Sequence, residues 1–163
     1  MRKLDIGRSA LALVLTVISL SSYAQGGDIG YDAAADPFAL LQAAEAQAGN
    51  EEKFVLVIAG GDWCIWCHYL HAFLDDNADL HEALDQTFVV MQAYYGDENE
   101  NPAFFATLPE AVGYPHFWVL NSNGKLLASQ NTAPLEDGDK SYNRDNFLAF
   151  IAGWEEKRRS RLR

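Results

Sequence analysis

The only two cysteines of the chain, Cys64 and Cys67, stand two residues apart in Gly61-Asp62-Trp63-Cys64-Ile65-Trp66-Cys67-His68. They follow directly on the apolar run Phe54-Val55-Leu56-Val57-Ile58-Ala59. An unbroken apolar run of that length predicts a central strand covered on both faces, and the residues after it carry the spacing of a helix. Two thiols where a strand hands over to a helix can close into a disulfide and reopen.

The spacing alone admits three chemistries: a redox pair, half of a zinc site, or, with His68 following, the CxxCH of covalent haem attachment. The strand before and the helix after favour the first. Free N–H groups and the dipole at a helix start stabilise a thiolate at Cys64. Cys64 would then attack a substrate disulfide, and Cys67, one turn on, would resolve the mixed disulfide. Haem wants an axial partner such as Met or a second His, and Met91, the methionine available beyond the leading segment, falls in an expected strand. Zinc would draw on Cys64, Cys67, His68 and His71, at i, i+3, i+4 and i+7 of one helix. Four ligands from two turns converge poorly on a tetrahedral ion. A purely structural disulfide is also a weak reading, because loop-closure stabilisation grows with loop length and this loop is very small. No metal and no cofactor beyond the Cys64–Cys67 disulfide is expected.

Trp63-Cys64-x-x-Cys67 after a hydrophobic strand, followed some fifty residues later by Gly113-Tyr114-Pro115-His116-Phe117-Trp118-Val119-Leu120 and then Asn123-Gly124-Lys125, resembles the thioredoxin superfamily. The Cys64-x-Trp66-Cys67-His68 variant is similar to its thioredoxin-like branches with a CxWCH site, and the resemblance covers roughly residues 36–157. It implies a thiol–disulfide oxidoreductase acting on protein thiols or disulfides, with an upstream redox partner that the residues do not identify. It also implies a cis bond at Pro115, lying against the disulfide and positioning the incoming substrate. Two departures stand out. Thioredoxins proper place a buried aspartate six residues before the first cysteine, where this chain has Ile58. Between the cysteines stands Ile65-Trp66, unlike the Gly-Pro of thioredoxins or the Pro-His of periplasmic oxidases. A proton acceptor for Cys67 must come from elsewhere or be missing: His71, four residues beyond it, is a candidate, and His68 bears the same relation to Cys64 and can steady its thiolate when protonated. The alternative reading places both histidines on a solvated helix side with no part in the chemistry. Trp63, Trp66 and Tyr114 are candidate substrate contacts, and His116 reads as a strand residue. The alternative from another class is a non-catalytic thioredoxin-fold protein that uses the Cys/His stripe to bind a metal or a partner.

The first 24 residues read as an export signal: Arg2, Lys3 and Arg8, an apolar run from Ala10 to Leu20, then Ser22-Tyr23-Ala24 as a small-x-small cleavage site. The run is shorter than the ~20 residues of a transmembrane helix. A periplasmic or secreted protein without stable membrane insertion is the expectation. The full chain has 12 basic and 23 acidic residues; removing the signal leaves 9 and 22, a net charge of −13. So acidic a body is a poor partner for nucleic acid, which is held by clustered Lys and Arg. The basic cluster, Lys157 to Arg163, reads as a helix end or a tail beyond the domain, at residues 158–163.

Residues 25–35 carry no periodicity and read as a flexible leader. Asp36-Pro37 is a helix start, and Gly49-Asn50 is the expected stop. The cysteine helix carries Ile65, Trp66, Tyr69, Leu70, Phe73 and Leu74 on one face, with the cysteines and histidines opposite. A short helix over residues 78–84, a strand over 88–94, an acidic loop over 96–101 and a helix from Pro102 to Leu108 follow. Strands at 117–120 and 126–129 flank the hairpin signal Asn123-Gly124, and a polar loop over 130–142 leads to a last helix bearing Phe147, Phe150, Ile151 and Trp154. The expected fold is one α/β domain, thioredoxin-like, with a small central mixed β-sheet and helices on both faces.

Overall fold

A computed structural model describes residues 30–163. The expected export signal at 1–24 and residues 25–29 of the leader lie outside the described residues. Asp36 opens the first helix, α1 (Pro37–Glu51), by accepting the backbone N–H of Phe38 at 3.0 Å. The helix does not stop at Gly49-Asn50. Both residues are exposed and carry no packing reason to break the ladder, and the stop falls at Glu52, whose left-handed φ of 56° turns the chain into the next strand.

The strand β1 (Phe54–Gly60) is buried at every position. Next come α2 (Ile65–Asp76), α3 (Ala78–Thr87), β2 (Phe88–Tyr94) and the one-turn α4 (Pro102–Phe105). α4 ends before the expected Leu108, and the Thr107 hydroxyl donates to the Phe104 carbonyl at 2.7 Å, a local bond that competes with helix continuation. The hairpin strands β3 (His116–Leu120) and β4 (Leu126–Asn131) precede the last helix, α5 (Arg144–Arg161), capped by Asn143. At the hairpin, the Asn121 carboxamide accepts from the N–H groups of Asn123 and Lys125, and Gly124 takes a φ of 74° that a side chain would resist.

The sheet order is β2-β1-β3-β4, with β1 and β2 parallel and the other pairs antiparallel. Alternate residues of a strand point to opposite faces, so β1 feeds two cores. Phe54, Leu56 and Ile58 pack with Leu70, Phe73 and Leu74 of α2, Leu80 and Leu84 of α3, and Phe147, Ile151 and Trp154 of α5. Val55, Val57 and Ala59 pack on the other side with Ala44 and Ala48 of α1 and with Phe104. Helices therefore cover both faces, as the unbroken apolar run required.

The basic C-terminal residues are largely helical: Arg158, Arg159 and Arg161 occupy the last turn of α5, where the dipole favours cations. Arg158 and Arg159 both reach Glu155 at 2.7 Å, and these bonds, Arg158 first, hold the Glu155 carboxyl down at about 2. Arg161 lies over the Phe54 ring at 3.9 Å.

Candidate active site

At the end of β1 the chain turns through Gly61, whose carbonyl accepts the N–H of Cys64 at 2.9 Å, and enters α2 with Cys64 as its N-cap. Cys64 Sγ occupies the place that a serine hydroxyl takes at an ordinary cap, accepting the N–H of Cys67 at 3.1 Å. The Cys67 N–H, which also donates to the Cys64 carbonyl at 3.0 Å, and the positive end of the dipole are thus aimed at that sulfur, an arrangement that favours its thiolate. Cys64 and Cys67 are joined by a disulfide, with 5.2 Å between Cα atoms.

Both cysteines are nearly buried, at 4% and 6% exposure. The expected division between an apolar face and an opposite chemical face is therefore incomplete. Cys67 lies on the buried side with Leu70, Phe73 and Leu74, whereas Ile65, assigned to the apolar face, is 56% exposed. Ile65 is the first residue of the helix, on a turn where no second element covers it. Trp63, Ile65 and Val112 leave a rim of exposed apolar side chains on the segments beside the cysteines and Pro115.

The Tyr114–Pro115 bond is cis and Pro115 is buried. The buried Thr132 hydroxyl donates to the Pro115 carbonyl at 2.9 Å, tying the turn to the segment after β4. Tyr114 joins this turn to the cysteine turn: its ring meets Trp63 edge-on at 5.4 Å and stacks on Tyr95 at 4.9 Å. Burial, with Tyr95 beside it, pushes the Tyr114 phenol up to about 12. Trp63 is fixed in turn by its indole N–H, which donates to the Tyr95 carbonyl at 2.6 Å. Trp66 sits elsewhere, edge-on to Tyr69 and Tyr142, and its carbonyl accepts the Tyr142 hydroxyl at 3.3 Å. Of the three aromatic candidates, Trp63 and Tyr114 are thus brought together and Trp66 is packed towards the α5 side.

His68 Nε2 lies 2.7 Å from the Asp62 carbonyl, a contact that requires a proton on that nitrogen. His71 Nε2 lies 3.8 Å from Asp75, one turn further along α2. His116 opens β3, is 2% exposed and meets Ser129 Oγ at 2.8 Å through Nε2. Burial pulls its pKa down, in keeping with a strand residue. Among the described residues no group of three or more His, Cys, Asp or Glu is arranged to hold a metal ion. Met91 packs with Val57, Ala59 and Phe104 on the α1 side of the sheet.

Three residues of this neighbourhood carry no motif. Thr132 lies in a stretch read as a polar loop. Tyr31 lies in the stretch read as leader, yet its ring packs against the core on the α2 side of the sheet. Gly60 had a faint signal, since a glycine closing a strand often marks a close approach. A Cβ there would come under 3.0 Å of both Cys67 Sγ and the Tyr31 hydroxyl.

A mixed four-stranded sheet with helices on both faces, a cysteine pair capping the helix after the central strand and a cis proline before the next one define a thioredoxin-type domain. A thioredoxin-like family model matches residues 36–122, and the chain belongs to that family. Its fold is similar to that of a disulphide isomerase from Xylella fastidiosa Temecula1, with a TM-score of 0.64 at 23% identity over 76% of this chain and 94% of that one. It is also similar to the oxidised C-terminal domain of DsbD from Neisseria meningitidis, with a TM-score of 0.54 at 22% identity over 75% of this chain and 96% of that one. The reduced form of that domain aligns with the same TM-score, 0.54, at 20% identity over 74% and 97% of the two chains. No curated protein sequence matches the chain.

Proposed function

We propose that the protein is an exported thiol–disulfide oxidoreductase that exchanges disulfides with protein substrates through Cys64 and Cys67. The observation that carries this reading is the N-cap: Cys64 Sγ is the acceptor for a helix N–H, so the thiolate that must attack is the form the helix stabilises. Cys64 attacks a substrate disulfide, forming a Cys64–substrate bond and releasing one substrate thiolate. Cys67 then attacks Cys64 Sγ, restores the Cys64–Cys67 disulfide and releases the second. Run in reverse, the same steps place a disulfide in the substrate.

Pro115 positions the substrate sulfur in this reading, and the exposed Trp63 with Tyr114 beside it supplies an apolar surface for a polypeptide. Trp66 is a further contact candidate. His71 and His68 are the candidates for moving the proton of Cys67 and steadying the charge at Cys64. Work in the periplasm or outside the cell is supported by the sequence of residues 1–24, which reads as an export signal, and suits a disulfide-forming pair. No helix among the described residues is long and apolar enough to cross a membrane.

The test is reduction of insulin by dithiothreitol, with metal analysis of the same purified protein. Catalysed reduction well above the dithiol alone, lost in Cys64→Ser, is the expected result. No acceleration, together with stoichiometric bound metal, would replace this reading with that of a binding protein.

A further inference from the structure

The mechanism leaves Cys67 with a difficulty. Its sulfur is nearly buried, it must become a thiolate to resolve the mixed disulfide, and the position six residues before Cys64 is filled by Ile58, at 1% exposure within the apolar core. The structure brings a different polar group to this sulfur. Gly60 ends β1, and the space a side chain would fill there is shared by two atoms: Cys67 Sγ from α2 and the Tyr31 hydroxyl from the segment before α1. A point one Cβ bond above Gly60 lies under 3.0 Å from both. The absence of a side chain at residue 60 is what lets hydroxyl and sulfur share that space.

We propose that Tyr31 is a catalytic residue whose hydroxyl donates a hydrogen bond to Cys67 Sγ when that sulfur is a thiolate, stabilising the charge beside a position where Ile58 supplies no polar group. This rests on the oxidoreductase reading above. The phenol acts as a donor and not as a base, because burial, then Tyr142, then Asp62 push its pKa up and keep the O–H intact at neutral pH. In the resolving step the Cys67 thiol gives its proton to His71 or, where His71 is replaced, to solvent, and the thiolate attacks Cys64 Sγ. The new Cys64–Cys67 bond forms as the Cys64–substrate bond breaks, and the departing substrate thiolate takes up a proton from solvent. In the opposite direction Cys67 is the leaving group, and the same O–H stabilises the charge it carries away.

The titratable groups that act on Tyr31 are Tyr142 before α5 and Asp62 before α2, and His68 and His71 share α2 with Cys67. Asp62 receives His68 through its backbone carbonyl, and the Tyr142 hydroxyl is given to the Trp66 carbonyl. A hydrogen bond to a charged group is worth enough to move a pKa by roughly one unit or more.

The experiment is Tyr31→Phe, which removes one oxygen and keeps the ring. The Cys67 pKa is read from thiolate absorbance in the Cys64→Ser background, with and without Tyr31→Phe, and the resolving step is timed against pH in the two-cysteine protein. Tyr31→Phe is expected to raise the Cys67 pKa by about one unit. The thiolate fraction at neutral pH then falls roughly tenfold, while the more basic thiolate gains intrinsic nucleophilicity with a Brønsted slope of about 0.4–0.5. Resolution therefore slows by roughly threefold near pH 7 and runs roughly threefold faster once both thiols are ionised, so the profiles cross. The same crossing is expected in a His71→Ala background. A merely structural tyrosine would displace the rate at every pH in one direction. An unshifted Cys67 pKa, parallel profiles, or a crossing that disappears with His71 would overturn the assignment. A wild-type protein that exchanges no disulfides would instead overturn the function on which it rests.

Discussion

Cys67→Ser is expected to accumulate mixed disulfides with client proteins, while Cys64→Ser accumulates few and both lose catalysed turnover. The asymmetry follows from the helix start. Cys64 Sγ accepts a helix N–H and faces the positive end of the dipole, whereas Cys67 lies a turn inside on the buried side. One pKa unit between two thiols is about a tenfold difference in thiolate fraction below both pKa values. In the reduced protein Cys64 should accordingly be alkylated at least about tenfold faster than Cys67 near neutral pH. Mass spectrometry of time-resolved alkylation reads both rates in one sample. Equal rates would mean that the N-cap does not activate Cys64.

The second large effect is on stability. Phe147 is wholly buried where α5 meets the sheet, with ring centroids 5.4 Å from Phe73 of α2, 6.1 Å from Tyr142 and 6.4 Å from Phe117 of β3. Phe147→Ala should cost about 3–5 kcal/mol, a large part of the roughly 5–15 kcal/mol that holds a domain folded. Tyr142, whose hydroxyl is given to the Trp66 carbonyl, would lose its ring neighbour. Ile65→Ala is the contrast. Ile65 is exposed, so its replacement should shift stability by no more than about 0.5 kcal/mol. Urea titrations of the two variants check both values. A comparable loss from Ile65→Ala would mean that α2 buries the face drawn for it from helical periodicity.

That contrast marks where sequence reasoning succeeds and where it stops. Strand β1 was legible because seven consecutive positions are buried on two faces, which leaves an unbroken apolar run as its signature. The cysteine pair was legible because its residues are adjacent in the chain, and the cis bond at Pro115 was legible through the family resemblance that Gly113-Tyr114-Pro115 helps to carry. Helical periodicity placed Leu70, Phe73 and Leu74 correctly, yet it cannot show that the first turn of α2 lacks a covering element, and so it misplaced Ile65. Nor can it weigh Gly49-Asn50 against Glu52 as a helix stop, since the outcome depends on where the chain must turn to enter β1. Tyr31 was out of reach for a stronger reason. Its neighbours Gly60 and Cys67 are roughly thirty residues away in the chain, and only the packing of the residues before α1 against the end of the sheet brings the hydroxyl to the sulfur.

Equilibration of the purified protein with glutathione redox buffers, followed by alkylation and mass determination, tests most directly whether Cys64 and Cys67 are an exchanging pair. Exchange-active pairs lie at about −120 to −270 mV, whereas structural disulfides lie below about −300 mV and resist glutathione. The predicted result is one reversible two-electron transition within the first range, with both thiols appearing and disappearing together. A disulfide that stays closed across the whole glutathione range, or thiols that never pair, would contradict the account.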